Sequence, residues 1–298
     1  MSKAAPRSKP VPSLQEQLPE LRPGQSVELL KELHILTREG KLNQDTRRKL
    51  KQVYHLVQFI EPLLHEVLEA RGDVSLADHG AGKSYLGFIL YDLFFKSKPV
   101  GWVYGVEARS ELVEKSQALA QRLGFDRMRF LATTVQQALT HEDLPPTFDV
   151  VTALHACDTA TDDAIAFGLA KQARFMVLVP CCQAEVATVM RQHKALNLSR
   201  TPLAELWRHP LHTREFGSQI TNVLRCLQLE AQGYEVTVTE LVGWEHSMKN
   251  ELIIARRRAQ PQAGLQARAR ERLQAILDEL GLQPLSARFG VTEDSAGR

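Results

Sequence analysis

Four cysteines in 298 residues (Cys157, Cys181, Cys182 and Cys226) are too few and too irregularly spaced for a disulfide framework. The neighbours Cys181 and Cys182 are also badly placed to bridge to each other. Free thiols in a reducing compartment are expected. No apolar run is long enough to cross a bilayer: Tyr85 to Phe95, the longest, is eleven residues and contains Asp92, against roughly 20 for a spanning helix. The opening residues, MSKAAPRSKPVPS, lack the apolar stretch of a secretory signal, so a disordered tail over 1–24 and a cytoplasmic, non-membrane protein are expected. No internal repeat is present, and no signature of an RRM or KH module is visible. What remains is 44% hydrophobic and 24% charged, an ordinary globular balance, in a length that suits one α/β core with appendages.

The small net charge of +2 conceals an uneven distribution. Residues 1–60 hold 11 Lys/Arg against 6 Asp/Glu, residues 61–255 hold 18 against 24, and residues 256–298 hold 8 against 5. Two basic flanks around an acidic interior could neutralise a phosphate backbone. Solvated helix faces would leave the same trace.

Apolar positions at helical spacing predict helix over 26–70, in two stretches marked by Leu29, Leu30 and Leu33, then by Val53, Leu56, Val57, Ile60, Leu63, Leu64 and Val67. From Val74 the pattern becomes the strand–helix rhythm of a parallel sheet. Strands are expected near 74–78, 102–107, 128–131, 148–154 and 174–179, with helices over 83–95, 111–123, 159–172 and 215–232. Asp158 or Thr159 is the expected N-cap of the third of these helices, and Gly233 the stop of the last. Two late strands, Tyr234 to Leu241 and Glu251 to Arg256, finish the sheet. Beyond them a linker, an amphipathic helix near 265–280 and a polar tail are expected.

The densest information lies in Val74-Ser-Leu-Ala-Asp78-His-Gly80-Ala-Gly82-Lys83-Ser84-Tyr-Leu-Gly87, read as strand, tight turn, helix. Gly80 and Gly82 let the backbone approach a ligand where a Cβ would obstruct it, and the following helix offers free N–H groups. A phosphate loop would need glycine five places before Gly82, and Ala77 stands there. Asp78 would repel a triphosphate but could order the loop around a ligand carrying a cationic amino acid. Glu107, at the tip of the next strand, could accept both hydroxyls of a ribose. A structural βα turn and an ATP site using Gly82-Lys83-Ser84 remain open on these residues alone.

Asp78-His-Gly80-Ala-Gly82 followed by Glu107 resembles the class I S-adenosylmethionine-dependent methyltransferases, whose first motif is D/E-x-G-x-G and whose second strand ends in the ribose acid. More narrowly, Asp78 to Phe88, Ala153-Leu-His-Ala-Cys-Asp-Thr-Ala-Thr-Asp162, Pro180-Cys-Cys-Gln183 and Glu245-His-Ser-Met-Lys-Asn250 resemble a bacterial branch of the methyltransferase-domain superfamily that includes tRNA 2′-O-methyltransferases. The resemblance covers roughly residues 70–256. It departs at Gln183, where those relatives have histidine after the Cys-Cys pair, and at Asp158, where they tend to have glycine.

The resemblance implies an enzyme with a Rossmann-like α/β sheet, mostly parallel with a late antiparallel strand, and S-adenosyl-L-methionine as cofactor. The methyltransferase domain is expected over 71–258, and the periodicity outside it predicts an N-terminal helical extension over 25–70 and a C-terminal linker, helix and tail over 259–298. Asp78, Gly80, Gly82 and Glu107 would hold the cofactor, and Thr133 would border its adenine. Residues after the fourth and fifth strands should face the methyl group, making His155 and Asp158 the candidate base and its orienter. Pro180, Cys181 and Cys182, with His246, Lys249 and Asn250 from the loop between the late strands, would meet the acceptor. A metal site of His155, Cys157, Cys181 and Cys182 lacks a C-x-x-C pair, and none is expected. RNA, met through the basic flanks, is the expected acceptor, with a protein or small molecule as the alternative.

Overall fold

The computed structural model describes residues 18–154, 159–180, 183–192, 200–241 and 251–291. Within them the short apolar runs form strands β1 (Ser75–His79), β2 (Trp102–Glu107), β3 (Met128–Ala132), β4 (Val150–Leu154), β5 (Phe175–Val179), β6 (Tyr234–Glu240) and β7 (Glu251–Arg257). They make one sheet in the order β3-β2-β1-β4-β5-β7-β6. β1 to β5 run parallel, and β7 is antiparallel to both β5 and β6. This is the Rossmann-like, mostly parallel sheet closed by a late strand pair that the sequence pattern predicts.

Because side chains alternate along a strand, neighbouring residues supply opposite layers. Leu76, Val150 and Val177 join one apolar cluster, while Ala77, Val151 and Met176 join the other. Helices α1 (Val27–Glu32), α2 (Gln44–Arg71) and α3 (Tyr85–Leu93) cover the first face, with Leu29, Leu30, Val57, Ile60, Leu64 and Phe88 inside that cluster. On the second face, α6 (Ala160–Ala170) contributes Ile165 and Phe167, and α8 (Pro210–Ala231) contributes Leu229. The central strands are buried on both sides and therefore read as continuous apolar runs.

The helical pattern over 26–70 is interrupted, since His34 and Gly40 take left-handed backbone and α2 starts afresh at Asn43. The Asn43 side chain accepts from the Thr46 amide at 2.9 Å, and Thr46 Oγ1 accepts from the Asn43 amide at 2.9 Å, a reciprocal cap that satisfies two helix-end donors. The N-terminal helices are docked onto the sheet's own helices. The Ser26 amide donates to Asp92 of α3 at 2.8 Å, and Arg122, which ends α4 (Ser110–Arg122), pairs with Glu28 at 3.2 Å and Glu32 at 2.7 Å. Leu18 and Leu21, within the stretch expected as tail, are buried.

α8 begins at Pro210, five residues before the expected start, with proline in the first turn where its missing N–H costs nothing. Gln232 caps it and Gly233 turns left-handed just beyond. Two helices escape the periodicity reading because they are short: α5 (Val135–Thr140) and α7 (Glu185–Gln192). Thr159 occupies the N-cap of α6 without a side-chain cap bond; Asp158, the other expected cap, lies outside the described residues. The C-terminal α9 (Ala263–Glu279) packs Leu273 and Leu277 into a third cluster with Leu224 of α8 and Met190 of α7. The expected polar tail instead starts with a 3-10 turn, Gln283–Phe289, whose Leu285 and Phe289 are buried.

Candidate active site

In an open α/β sheet the ligand crevice lies beyond the carboxyl ends of the strands, where the strand order reverses. That point falls here between β1 and β4, and the chain leaving β1 is the glycine turn. Gly80 (φ +63°), Gly82 (φ +56°) and Ser84 (φ +49°) are all left-handed. Glycine adopts this without strain; Ser84 does so at the start of α3 with its hydroxyl donating to Asp78 Oδ2 at 3.0 Å. The Gly87 amide donates to the same oxygen at 3.3 Å, and the Thr152 hydroxyl donates to Oδ1 at 3.1 Å. Asp78 is therefore a buried anchor beneath the turn, tying it to α3 and β4. Burial pushes its carboxyl up to about 6, against the lowering effect of the three donors.

This arrangement speaks against the ATP reading of Gly82-Lys83-Ser84. A phosphate loop presents its serine hydroxyl to a magnesium ion, whereas the Ser84 hydroxyl is buried and committed to Asp78.

At the tip of β2, Glu107 Oε2 accepts from the Gly82 amide at 2.7 Å. Arg109 closes over the same carboxylate: its backbone amide and Nε donate to Oε1 at 3.1 and 2.8 Å, and Nη2 donates to Oε2 at 3.3 Å. Burial raises the Glu107 carboxyl, but the Arg109 and Gly82 donors outweigh it and hold the group below the usual carboxylate range. The Thr133 amide, just past β3, donates to the Glu107 carbonyl at 3.0 Å. One rim thus collects Asp78, Gly80, Gly82, Glu107 and Thr133. A left-handed glycine turn beside an ionised carboxylate suits a ribose-bearing ligand, because the carboxylate can accept from vicinal hydroxyls if Arg109 yields its place.

Pro180 is buried at the carboxyl end of β5. His155, Cys157, Asp158, Cys181, Cys182, His246, Lys249 and Asn250 lie outside the described residues. The residues that follow three of these segments are described, and they meet in one buried polar network that sequence reasoning missed. Arg225 of α8, fully buried, donates Nε to Asp162 Oδ1 at 2.7 Å and Nη2 to Oδ2 at 2.9 Å. Its Nη1 donates to Gln183 Oε1 and to Asn222 Oδ1. The Gln183 amide nitrogen donates to the Ser218 carbonyl at 2.7 Å and to Asn222 Oδ1 at 2.9 Å, and Asn222 Nδ2 donates to Glu251 at 2.7 Å. Asp162, Gln183 and Glu251 follow the β4, β5 and β6–β7 mouth segments in sequence, and α8 ties all three together. Gln183, expected to face the methyl group, instead points into this network.

His79 was also missed. It is buried against Phe167 (ring centroids 5.3 Å apart), with neither ring nitrogen hydrogen-bonded among the described residues. Burial pushes its pKa down to about 4, against the raising influence of Glu107, so the imidazole is neutral at pH 7. A histidine next to the motif aspartate carries no sequence signal of its own. Arg225 carried no signal at all, since an arginine on a helix normally reads as surface.

The sheet, the left-handed glycine turn and the strand-tip acid together form a crevice suited to a ribose-bearing ligand. Residues 48–189 match the family model of a methyltransferase domain, and the chain is accordingly an enzyme of methyl transfer that uses S-adenosyl-L-methionine. No curated protein matches the sequence. Among solved structures, a putative O-methyltransferase from Klebsiella pneumoniae is similar over 81% of this chain and 94% of its own at 15% identity, with a TM-score of 0.45. A magnesium protoporphyrin IX methyltransferase from Synechocystis PCC 6803, solved with bound SAH, is similar over 78% and 93% at 14% identity, with a TM-score of 0.43. A Methanococcus jannaschii fibrillarin pre-rRNA processing protein is similar over 63% and 68% at 10% identity, with a TM-score of 0.40.

Proposed function

We propose that the enzyme is a cytoplasmic RNA methyltransferase. The observation that carries the acceptor class is the placement of charge: both flanks are basic, by +5 over 1–60 and +3 over 256–298, around an interior of −6. A polyanion is attracted to such flanks and repelled by such an interior.

Bound cofactor supplies a methyl group on a sulfonium, ready for in-line displacement. In this reading Gly80 and Gly82 let it lie against the backbone of the turn, which Asp78 holds in shape from below. Glu107 would accept from the ribose hydroxyls in place of Arg109, and Thr133 would border the base. His155 takes the proton of an attacking hydroxyl and Asp158 orients it. Pro180, Cys181 and Cys182, with His246, Lys249 and Asn250, position the acceptor close to the methyl group, where alignment supplies much of the rate. The Arg225 network holds the ends of these segments in register.

The test is transfer of labelled methyl from S-adenosylmethionine into cellular RNA, protein and small-molecule fractions, with Glu107→Ala as the site control. Ribonuclease-sensitive label that the variant fails to deposit is the expected result. Label confined to protein or small molecules overturns the RNA reading while leaving the methyltransferase intact.

A further inference from the structure

On the edge of the sheet opposite the glycine turn lies a second open cleft, of about 970 Å³. It is formed at the amino ends of β4 and β5 and the carboxyl end of β7. One strand length of five residues, roughly 16 Å, separates the two edges, so the cleft is no part of the cofactor site. Its walls carry five arginines from three separate parts of the chain: Arg71, Arg174, and Arg256 to Arg258.

The carboxylates do not balance these guanidinium groups. Arg174 and Arg256 share one acid, Glu66, at 2.8 and 2.7 Å. Arg71 pairs with Asp149, whose other oxygen is taken by the Ser75 amide and hydroxyl. Arg258 reaches Glu235 only at 3.5 Å. Arg257 has no carboxylate partner among the described residues; its Nη1 donates to the carbonyl and side-chain oxygen of Gln172, at 3.2 and 3.3 Å. Gln172 itself is held at φ +53°, a left-handed backbone that costs a non-glycine residue energy and is concentrated at functional sites. Glutamines 172, 232, 260, 262 and 266 supply further hydrogen-bonding groups to the wall.

A small-molecule pocket is concave and mostly apolar. This cleft is open and only half apolar, and its fork-shaped arginine donors match phosphate oxygens. We propose that it is a docking surface for the phosphodiester backbone of the RNA acceptor, seating the strand on the far edge of the sheet from the methyl-transfer mouth. The proposal rests on the RNA reading above. It assigns the C-terminal basic flank its place of action: Arg256 to Arg258 act here together with Arg71 and Arg174, which lie outside that flank.

The experiment is fluorescence anisotropy of a single-stranded RNA oligonucleotide with the full chain over a range of salt, comparing wild type with the double variant Arg257→Ala/Arg258→Ala. These two arginines are chosen because their removal leaves no buried acid stranded. S-adenosylmethionine titration of each protein reports on folding and on the cofactor site. The expected result is unchanged cofactor affinity, RNA affinity about tenfold weaker near 0.1 M salt, and a salt slope shallower by about 1.4, two phosphate contacts at roughly 0.7 each for a single strand. RNA binding by wild type that the double variant keeps, slope included, overturns the cleft and spares the RNA reading. Absence of salt-dependent RNA binding by wild type, with cofactor binding normal, overturns both.

Discussion

At the scale of single residues the site is a contest for one carboxylate. Glu107 is shared between the Gly82 amide, which shapes the turn, and Arg109, which occupies the oxygens a ribose diol would use. Glu107→Ala removes the acceptor for both hydroxyls and is expected to weaken S-adenosylmethionine binding at least about tenfold by calorimetry, since each hydrogen bond to a charged group is worth roughly 1.5–3 kcal/mol. Arg109→Ala has the opposite sign. Arg109 is largely exposed, so its ion pair is worth at most about 1 kcal/mol, and its removal should tighten cofactor binding about two- to fivefold. A cofactor affinity lowered by Arg109→Ala would mean that the arginine contacts the ligand rather than competing with it.

Asp78 makes a pH-dependent prediction. Its carboxyl is near 6 in the fold against 3.8 when free, so between these values the native state holds a proton that the unfolded chain has lost. The contribution of this group to stability is greatest below about pH 4 and declines as pH rises through 6. Asp78→Asn lacks that decline. Urea midpoints of wild type and variant should therefore move in the variant's favour from pH 4 to pH 7, by roughly 3 kcal/mol at most. A stability difference independent of pH would show that Asp78 is ionised throughout in the native state.

At the scale of elements, two close approaches hold the mouth together. α3 lies on β1 because Gly87 has no side chain: a methyl there would overlap the Ser84 hydroxyl and press on Asp78 and Val103. Ser84 is fully buried and cannot step aside. Gly87→Ala should cost about 1–3 kcal/mol of overpacking and weaken cofactor binding by displacing the Ser84–Asp78 bond, whereas an ordinary exposed helical Gly→Ala stabilises. α8 is joined to the mouth segments by the Arg225 network. Truncating the arginine strands Asp162, so Arg225→Leu should destabilise by about 3–5 kcal/mol in urea titration, and adding Asp162→Leu should restore part of the loss. An equal or larger loss in the double variant would mean that Arg225 stabilises through packing rather than through the charge pair.

At the scale of the molecule, the flanking elements share the cores of the sheet. Leu29, Leu30, Val57, Ile60 and Leu64 are in one cluster with Leu76 and Phe88, and Leu273, Leu277 and Phe289 close another with Leu224. Cutting the chain to 71–258 would expose these faces together, and burial is worth roughly 25 cal/mol per Å² of apolar surface. The expected outcome is an aggregating product without cofactor binding, checked by solubility and calorimetry. A soluble, cofactor-binding 71–258 fragment would show that the flanks are dispensable appendages.

The strands, the glycine turn and the strand-tip acid were legible from the order of residues because each depends on local rules. A strand buried on both faces must be apolar throughout, a turn that admits a ligand needs glycine at φ > 0, and a carboxylate at a strand end follows from the strand's length. The type of fold and the place of Glu107 at the tip of the strand after the glycine turn were determined at that level. Tertiary structure alone decided the rest. Arg109 covering Glu107 depends on a rotamer, and the buried Arg225 linking Asp162, Gln183 and Asn222 joins positions up to 63 residues apart. The arginine cleft gathers Arg71, Arg174 and Arg257 from three parts of the chain. Such contacts between distant residues leave no periodicity in the sequence, because what pairs them is the order of strands in the sheet and the path of α8 across its mouth.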